Sequence, residues 1–105
     1  MLSTLKNAKN ILLLSIKPDF VGKILDGSKT VELRRIKPRV DKGDVVLIYE
    51  TSPTMALVGY GIVDRVITNK PYKLWEDVKT ESGITKTKFK EYFSGAKAGY
   101  AIKFN

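Results

Sequence analysis

Gly27-Ser28-Lys29-Thr30-Val31-Glu32-Leu33-Arg34-Arg35 is the stretch on which the reading of this chain turns. Gly27 stands where a short amphipathic helix should stop, since helices often end at a glycine in the left-handed conformation. From Thr30 onward the apolar period becomes two. Val31 and Leu33 supply one face. Thr30, Glu32 and Arg34 share the other, because side chains alternate across a strand. A carboxylate and a guanidinium then stand one pleat apart, with the Lys29 ammonium just ahead of them. Such alternation is common on solvated strand faces, where an ion pair contributes about 0–1 kcal/mol. Charges of both signs on a rigid element beside a glycine turn are also what a polar ligand site needs. The two readings differ in geometry. On a merely solvated strand, Lys29 points away from Glu32, an odd number of residues on; in a constructed site the turn brings it round.

On the N-terminal side, the apolar run Ile11 to Ile16 reads as a strand buried on both faces. Lys17-Pro18-Asp19 breaks it, and Pro18 suits the first turn of a helix on which Phe20, Ile24 and Leu25 share a face. Residues 1–10 read as a flexible or short helical extension. On the C-terminal side, a basic loop with Lys37, Arg39 and Lys42 is closed by Gly43-Asp44, and Val45 to Tyr49 forms a strand. Glu50 to Thr54 is a loop with strong turn chemistry. Met55 to Thr68 is one long strand or two, with Gly59 and Gly61 marking a bend or a close approach. Pro71 to Val78 and Thr85 to Phe93 read as helices, and Gly99 to Phe104 as a last strand. Strands outnumber helices, and few connections are long enough for a parallel crossover. The pattern predicts one α+β domain over residues 1–105, a small, mostly antiparallel β-barrel of about five or six strands with two or three short helices over its ends. Val31, Leu33, Val46, Ile48, Phe89 and Ile102 are its expected core.

The 105 residues can bury a single modest core. Nineteen Lys and Arg stand against 11 Asp and Glu, a net charge of +8, which favours a polyanionic partner. The chain has no cysteine and no histidine. That removes disulfides, Cys- or His-ligated metals and the Ser-His-Asp triad. Catalysis would fall to Lys, carboxylate, Thr, Ser or Tyr. Neither cofactor nor metal is expected, a carboxylate-only metal site being the one kind left open. No apolar run approaches the roughly 20 residues that span a bilayer, and Ile11 to Leu14 is too short for a signal-peptide core. A cytoplasmic monomer without membrane contact is the expectation.

Gly27, Lys29, Glu32 and Arg34 fill the pattern Gly-x-Lys-x-x-Glu-x-Arg, which resembles the signature of the ASCH domain, a branch of the PUA-like β-barrel superfamily. Leu14 to Pro18 resembles that family's opening strand and helix entry. Gly43 to Tyr49, Ser52-Pro53, Val58-Gly59, Leu74-Trp75, Tyr92-Phe93-x-Gly95 and Gly99 to Ile102 resemble its later elements. The likeness covers Ile11 to Phe104. It implies a PUA-like barrel with a cleft, the motif strand near its mouth, and an RNA-binding role linked to translation or transcription regulation. One branch of the family removes the acetyl group from acetylcytidine with a lysine, a threonine and a glutamate. The lysine falls on Lys29, the threonine on Glu32, and the glutamate on Ser82 beside Glu81, so one of the three positions is kept. Another branch has been described as a ribonuclease.

Two functions follow. In the first, the chain binds RNA, single-stranded or structured, or a nucleotide, through Gly27, Lys29, Glu32, Arg34, Arg35, Lys37, Arg39, Lys42 and Ser52. Arg34 grips phosphate or a base edge in bidentate fashion and Lys29 acts as a point charge. Glu32 accepts from an exocyclic amine, the basic loop tracks the backbone, and Tyr49, Tyr60 or Trp75 stacks a base. In the alternative, the chain is a hydrolase on RNA or a modified nucleoside. A desolvated Lys29 then serves as base or nucleophile and Glu32 as its acid–base partner.

Overall fold

Fourteen residues of continuous strand, Ala56–Asn69 (β4), organise the sheet. The computed structural model describes residues 10–105, so the extension expected over residues 1–10 lies outside the described residues except for Asn10. Before β4 come β1 (Ile11–Ile16), α1 (Pro18–Leu25), β2 (Val31–Arg34) and β3 (Val45–Glu50). After it come α2 (Pro71–Val78), α3 (Lys86–Tyr92) and β5 (Gly99–Phe104). Local chemistry explains the boundaries. Pro18 and Pro71 each open a helix, where a missing N–H costs nothing. Thr85 caps α3, its Oγ1 accepting from the Lys88 amide at 3.2 Å. Gly27, at φ 85°, turns the chain from α1 toward β2.

The sheet runs β1-β3-β4-β5-β2. β1 pairs parallel with β3, and the other pairings are antiparallel. β4 serves two partners in turn, β3 along Ala56 to Ile62 and β5 along Val63 to Asn69. The register slips between Ile48 and Tyr49 and again between Val63 and Arg65, and such slips bend a strand. Gly61 accommodates the bend's packing: a Cβ there would lie 2.6 Å from Cδ1 of the Phe104 ring. The close approach read from these glycines is thus an aromatic ring seated on bare backbone at Gly61, and at Gly59 the Leu25 side chain, whose Cδ2 would lie 3.2 Å from a Cβ.

The expected small, mostly antiparallel β-barrel does not close among the described residues. The sheet is open, with β1 and β2 as its edges. β2 has only four residues, and its ladder is with β5. A side chain, not a ladder, spans the two edges: Arg34 Nη2 of β2 donates to the Ser15 carbonyl of β1 at 3.3 Å. β1 also departs from expectation. Leu14 and Ile16 are buried, but Ile11 and Leu13 are half-exposed, because they point to the face of β1 opposite the core that takes Leu14 and Ile16.

Neighbouring residues of β5 enter different cores. Ile102 packs with Leu14, Ile16, Val46, Ile48 and Val63 and with Val21 of α1. Ala101 packs with Val31, Leu33, Leu74, Val78, Phe89 and Phe93, beneath α2 and α3. The six expected core residues are all buried, each large apolar side chain contributing about 1.5–3 kcal/mol by its burial. Val31 and Leu33 face the second core. Glu32, opposite Ile102 in register, faces the first.

Candidate functional site

Lys29 and Glu32 are among the most enclosed charged residues of the described chain, at 3% and 7% exposure. Two segments enclose Lys29. From α1, the Phe20 ring lies 5.1 Å from its ammonium. Its own amide donates to the Lys23 carbonyl at 3.0 Å, which folds the turn back on α1. From the connection between α2 and α3, the Ser82 carbonyl accepts from Nζ at 2.5 Å. That connection is pinned by the Thr30 amide, which donates to the Glu81 carbonyl at 3.0 Å. Gly83, at φ 68°, lets it lie so close: a Cβ there would be 3.2 Å from that of Lys29.

Glu32 receives two cations. Its Oε1 lies 3.7 Å from Lys29 Nζ and its Oε2 2.8 Å from Arg34 Nη2. Lys29 thus turns onto the face of Glu32 and Arg34 despite the odd spacing. Burial pushes the Lys29 ammonium below its ordinary pKa; the Glu32 charge opposes that shift, while Lys23 and Arg34 add to it. Arg34 Nε and Ser82 Oγ are buried with no hydrogen-bond partner among the described residues. Unpaired buried polar atoms cost about 1–3 kcal/mol each.

The cluster opens on a cleft of about 570 Å³ between α1, β1, β2 and α3. Lys17, Asp19 and Phe20 line one wall and Lys88, Glu91 and Tyr92 the other, with Lys29, Glu32 and Arg34 at the floor. The Tyr92 hydroxyl donates to the Leu33 carbonyl at 3.2 Å. Burial raises its pKa first of all, and the Glu32 charge adds to the rise.

The other residues expected at a binding site stand outside this lining. Gly27 is exposed in the turn. Arg35 braces the end of α3, its Nη1 donating to the carbonyls of Tyr92 at 2.7 Å and Ser94 at 2.9 Å. Lys37, Arg39, Lys42 and Ser52 are exposed and do not line the cleft. Lys17, Lys88 and Tyr92 do, and were not expected. Lys88 and Tyr92 are four apart on α3, away from the buried Phe89, a spacing that marks a second working face of that helix.

The profile of the ASCH domain matches residues 14–105. Among curated proteins, an ASCH domain-containing ribonuclease from Zymomonas mobilis is 27% identical over 89 residues, covering 85% of this chain and 60% of that protein. Among solved structures, ASCH from Zymomonas mobilis matches with a TM-score of 0.86 at 25% identity, over 90% of this chain and 66% of that one. A tyrosine-to-phenylalanine mutant of the Zymomonas mobilis protein gives a TM-score of 0.87 at 24% identity, over 92% and 70%, a likeness of fold. The chain spans about three fifths of the length of the curated ribonuclease it matches. With the profile running from β1 through the end of β5, the chain belongs to the ASCH domain family.

Proposed function

We propose that this chain is a cytoplasmic, monomeric, single-domain RNA- or nucleotide-binding module of the ASCH type, serving translation or transcription regulation. The cleft over Lys29, Glu32 and Arg34 takes a phosphate-bearing strand. The observation that carries this reading is the convergence of those three side chains on one cleft floor, with Arg34 Nε buried and unpaired. Arg34 receives phosphate or a base edge. Glu32 accepts from an exocyclic amine, and Lys17 and Lys88 hold phosphates at the rim. Lys37, Arg39 and Lys42, together with the net charge of +8, act at longer range by drawing a polyanion in. No described helix is long and apolar enough to cross a membrane. The test is fluorescence anisotropy with labelled single-stranded RNA at low salt. Binding that weakens as salt rises, and at least tenfold in Arg34→Gln, supports the reading; no binding at low salt overturns it.

A second reading, RNA cleavage, is favoured by the desolvated Lys29 and by the ribonuclease name of the Zymomonas mobilis relative. In it, neutral Lys29 takes the proton of a ribose 2′-hydroxyl as that oxygen bonds to the adjacent phosphorus. The bond from phosphorus to the 5′-oxygen breaks, and the leaving oxygen recovers a proton from the Lys29 ammonium. Arg34 faces the charge on the phosphoryl oxygens. Cleavage that persists in Lys29→Met ends this reading. Acetylcytidine hydrolysis has less support: Glu32 stands at the threonine position, and the Glu81 carboxylate is engaged by Lys103 at 3.3 Å.

A further inference from the structure

Helix α3 has two working sides. At about 100° per residue, Lys88, Glu91 and Tyr92 turn to the cleft, and Lys86, Phe89, Lys90 and Phe93 turn the other way. The structure has a concavity on each side. The second, between α2 and α3, has a volume of about 540 Å³. Tyr72 and Trp75 of α2, Phe89 of α3 and Phe93 just past its end line it, with Lys86 and Lys90 at its edge. Tyr72 is 66% exposed. The Trp75 ring leans on Phe89 at a centroid distance of 5.0 Å and a tilt of 57°, and is itself half-buried. The one carboxylate in the lining, Glu76, is engaged by Lys79 at 2.9 Å.

Helix α2 secures itself to the core with Leu74 and Val78. Its two aromatic residues also line the groove, Trp75 packing partly on the core and Tyr72 with the Lys73 ammonium 5.9 Å from its ring centroid, and the rim carries cations that a purely apolar occupant would leave unpaired. Aromatic faces ringed by lysines suit a nucleobase and its phosphates, because every base has a π-face and stacking tolerates sequence.

We infer that a single RNA strand held in the cleft crosses α3 and seats a further base against Tyr72 and Trp75, its phosphates passing from Lys88 to Lys86 and Lys90. The inference rests on the reading of the cleft as an RNA site and adds a second subsite to it. On this geometry, α3 is a basic ridge under the strand, with a base pocket on either side.

Trp75 is the only tryptophan of the chain, so its emission reports this groove. A uridine oligonucleotide of about a dozen residues is titrated into the full chain, occupancy followed by anisotropy and Trp75 by fluorescence. Emission is expected to be quenched in step with occupancy. Tyr72→Ala, at an exposed position, is expected to weaken binding about fivefold. Lys86→Ala with Lys90→Ala is expected to lower the slope of log affinity against log salt by about 1.4, at roughly 0.7 per phosphate contact. Binding with unchanged Trp75 emission, or parental affinity and salt slope in both variants, overturns the second subsite and leaves the cleft reading standing. Absence of binding in anisotropy overturns both. Quenching by an apolar peptide but not by the oligonucleotide assigns the groove to another partner and also overturns the inference.

Discussion

Lys29 Nζ and Glu32 Oε1 lie 3.7 Å apart inside the protein, although the alternation of a strand would send their side chains to opposite faces. The turn at Gly27 and the Ser82 carbonyl hold the ammonium on the carboxylate's side. The arrangement is costly to isolate. Both partners are buried; Lys29 depends on Glu32 for its countercharge, whereas Glu32 also has Arg34 at 2.8 Å.

Glu32→Gln therefore tests stability as well as binding. For an exposed pair the substitution would be nearly neutral. For this pair it leaves the Lys29 ammonium buried without its carboxylate. A loss of about 3–5 kcal/mol in urea unfolding is expected; a change below about 1 kcal/mol would show that the Ser82 carbonyl and Phe20 suffice for Lys29.

The lowered pKa of Lys29 predicts a pH dependence of stability. In the unfolded chain this lysine keeps its proton up to about 10.5, while in the folded protein it releases it earlier. Between the two values the unfolded state binds more protons, so stability rises with pH. Tyr92, its pKa raised from 10.0, works the other way above that point. As pH rises toward 10.5, the unfolding free energy of the parent should rise relative to that of Lys29→Met. A flat or falling difference would refute the desolvation of Lys29.

Gly83→Ala should be disproportionately damaging for a methyl group. The position has φ 68°, and the new Cβ would meet that of Lys29 at 3.2 Å. A destabilisation of about 1 kcal/mol or more is expected from the backbone alone. The same change should shift the pH window just described, since it moves the loop that covers Lys29. Parental stability would mean that the loop relaxes freely.

Lys17→Ala with Lys88→Ala probes the cleft rim. Both residues are exposed, so stability should stay within about 0.5 kcal/mol per site. The salt slope for single-stranded RNA should fall by about 1.4, at roughly 0.7 per phosphate contact. An unchanged slope would remove these lysines from the footprint.

The elements were legible where punctuation is local. Pro71 fixed the start of α2, and the alternation of Tyr100, Ile102 and Phe104 against Ala101 and Lys103 fixed β5. What resisted reading depends on distant chain. Whether Ile11 and Leu13 are covered is decided by what packs on each face of β1, and the core meets the face of Leu14 and Ile16. The motif named Lys29, Glu32 and Arg34, but their convergence is made by Phe20 and Ser82, residues on segments that meet Lys29 only in three dimensions. Lys88 and Tyr92 join the cleft through the packing of Phe89 and Phe93, which turns α3 and so aims them. The open sheet was the largest departure, because strand count does not reveal whether a four-residue edge will reach its far neighbour.

Phe104 seated on Gly61 carries a consequence for descent. Positions 61 and 104 are not free to vary separately: any side chain at 61 must find the ring already gone. A lineage can trade the ring for a smaller residue, live with the void, and then fill it from the strand. The reverse order passes through an overfilled intermediate. Among related chains, residues larger than glycine at 61 should accompany small ones at 104, and in any reconstructed history the change at 104 should come first.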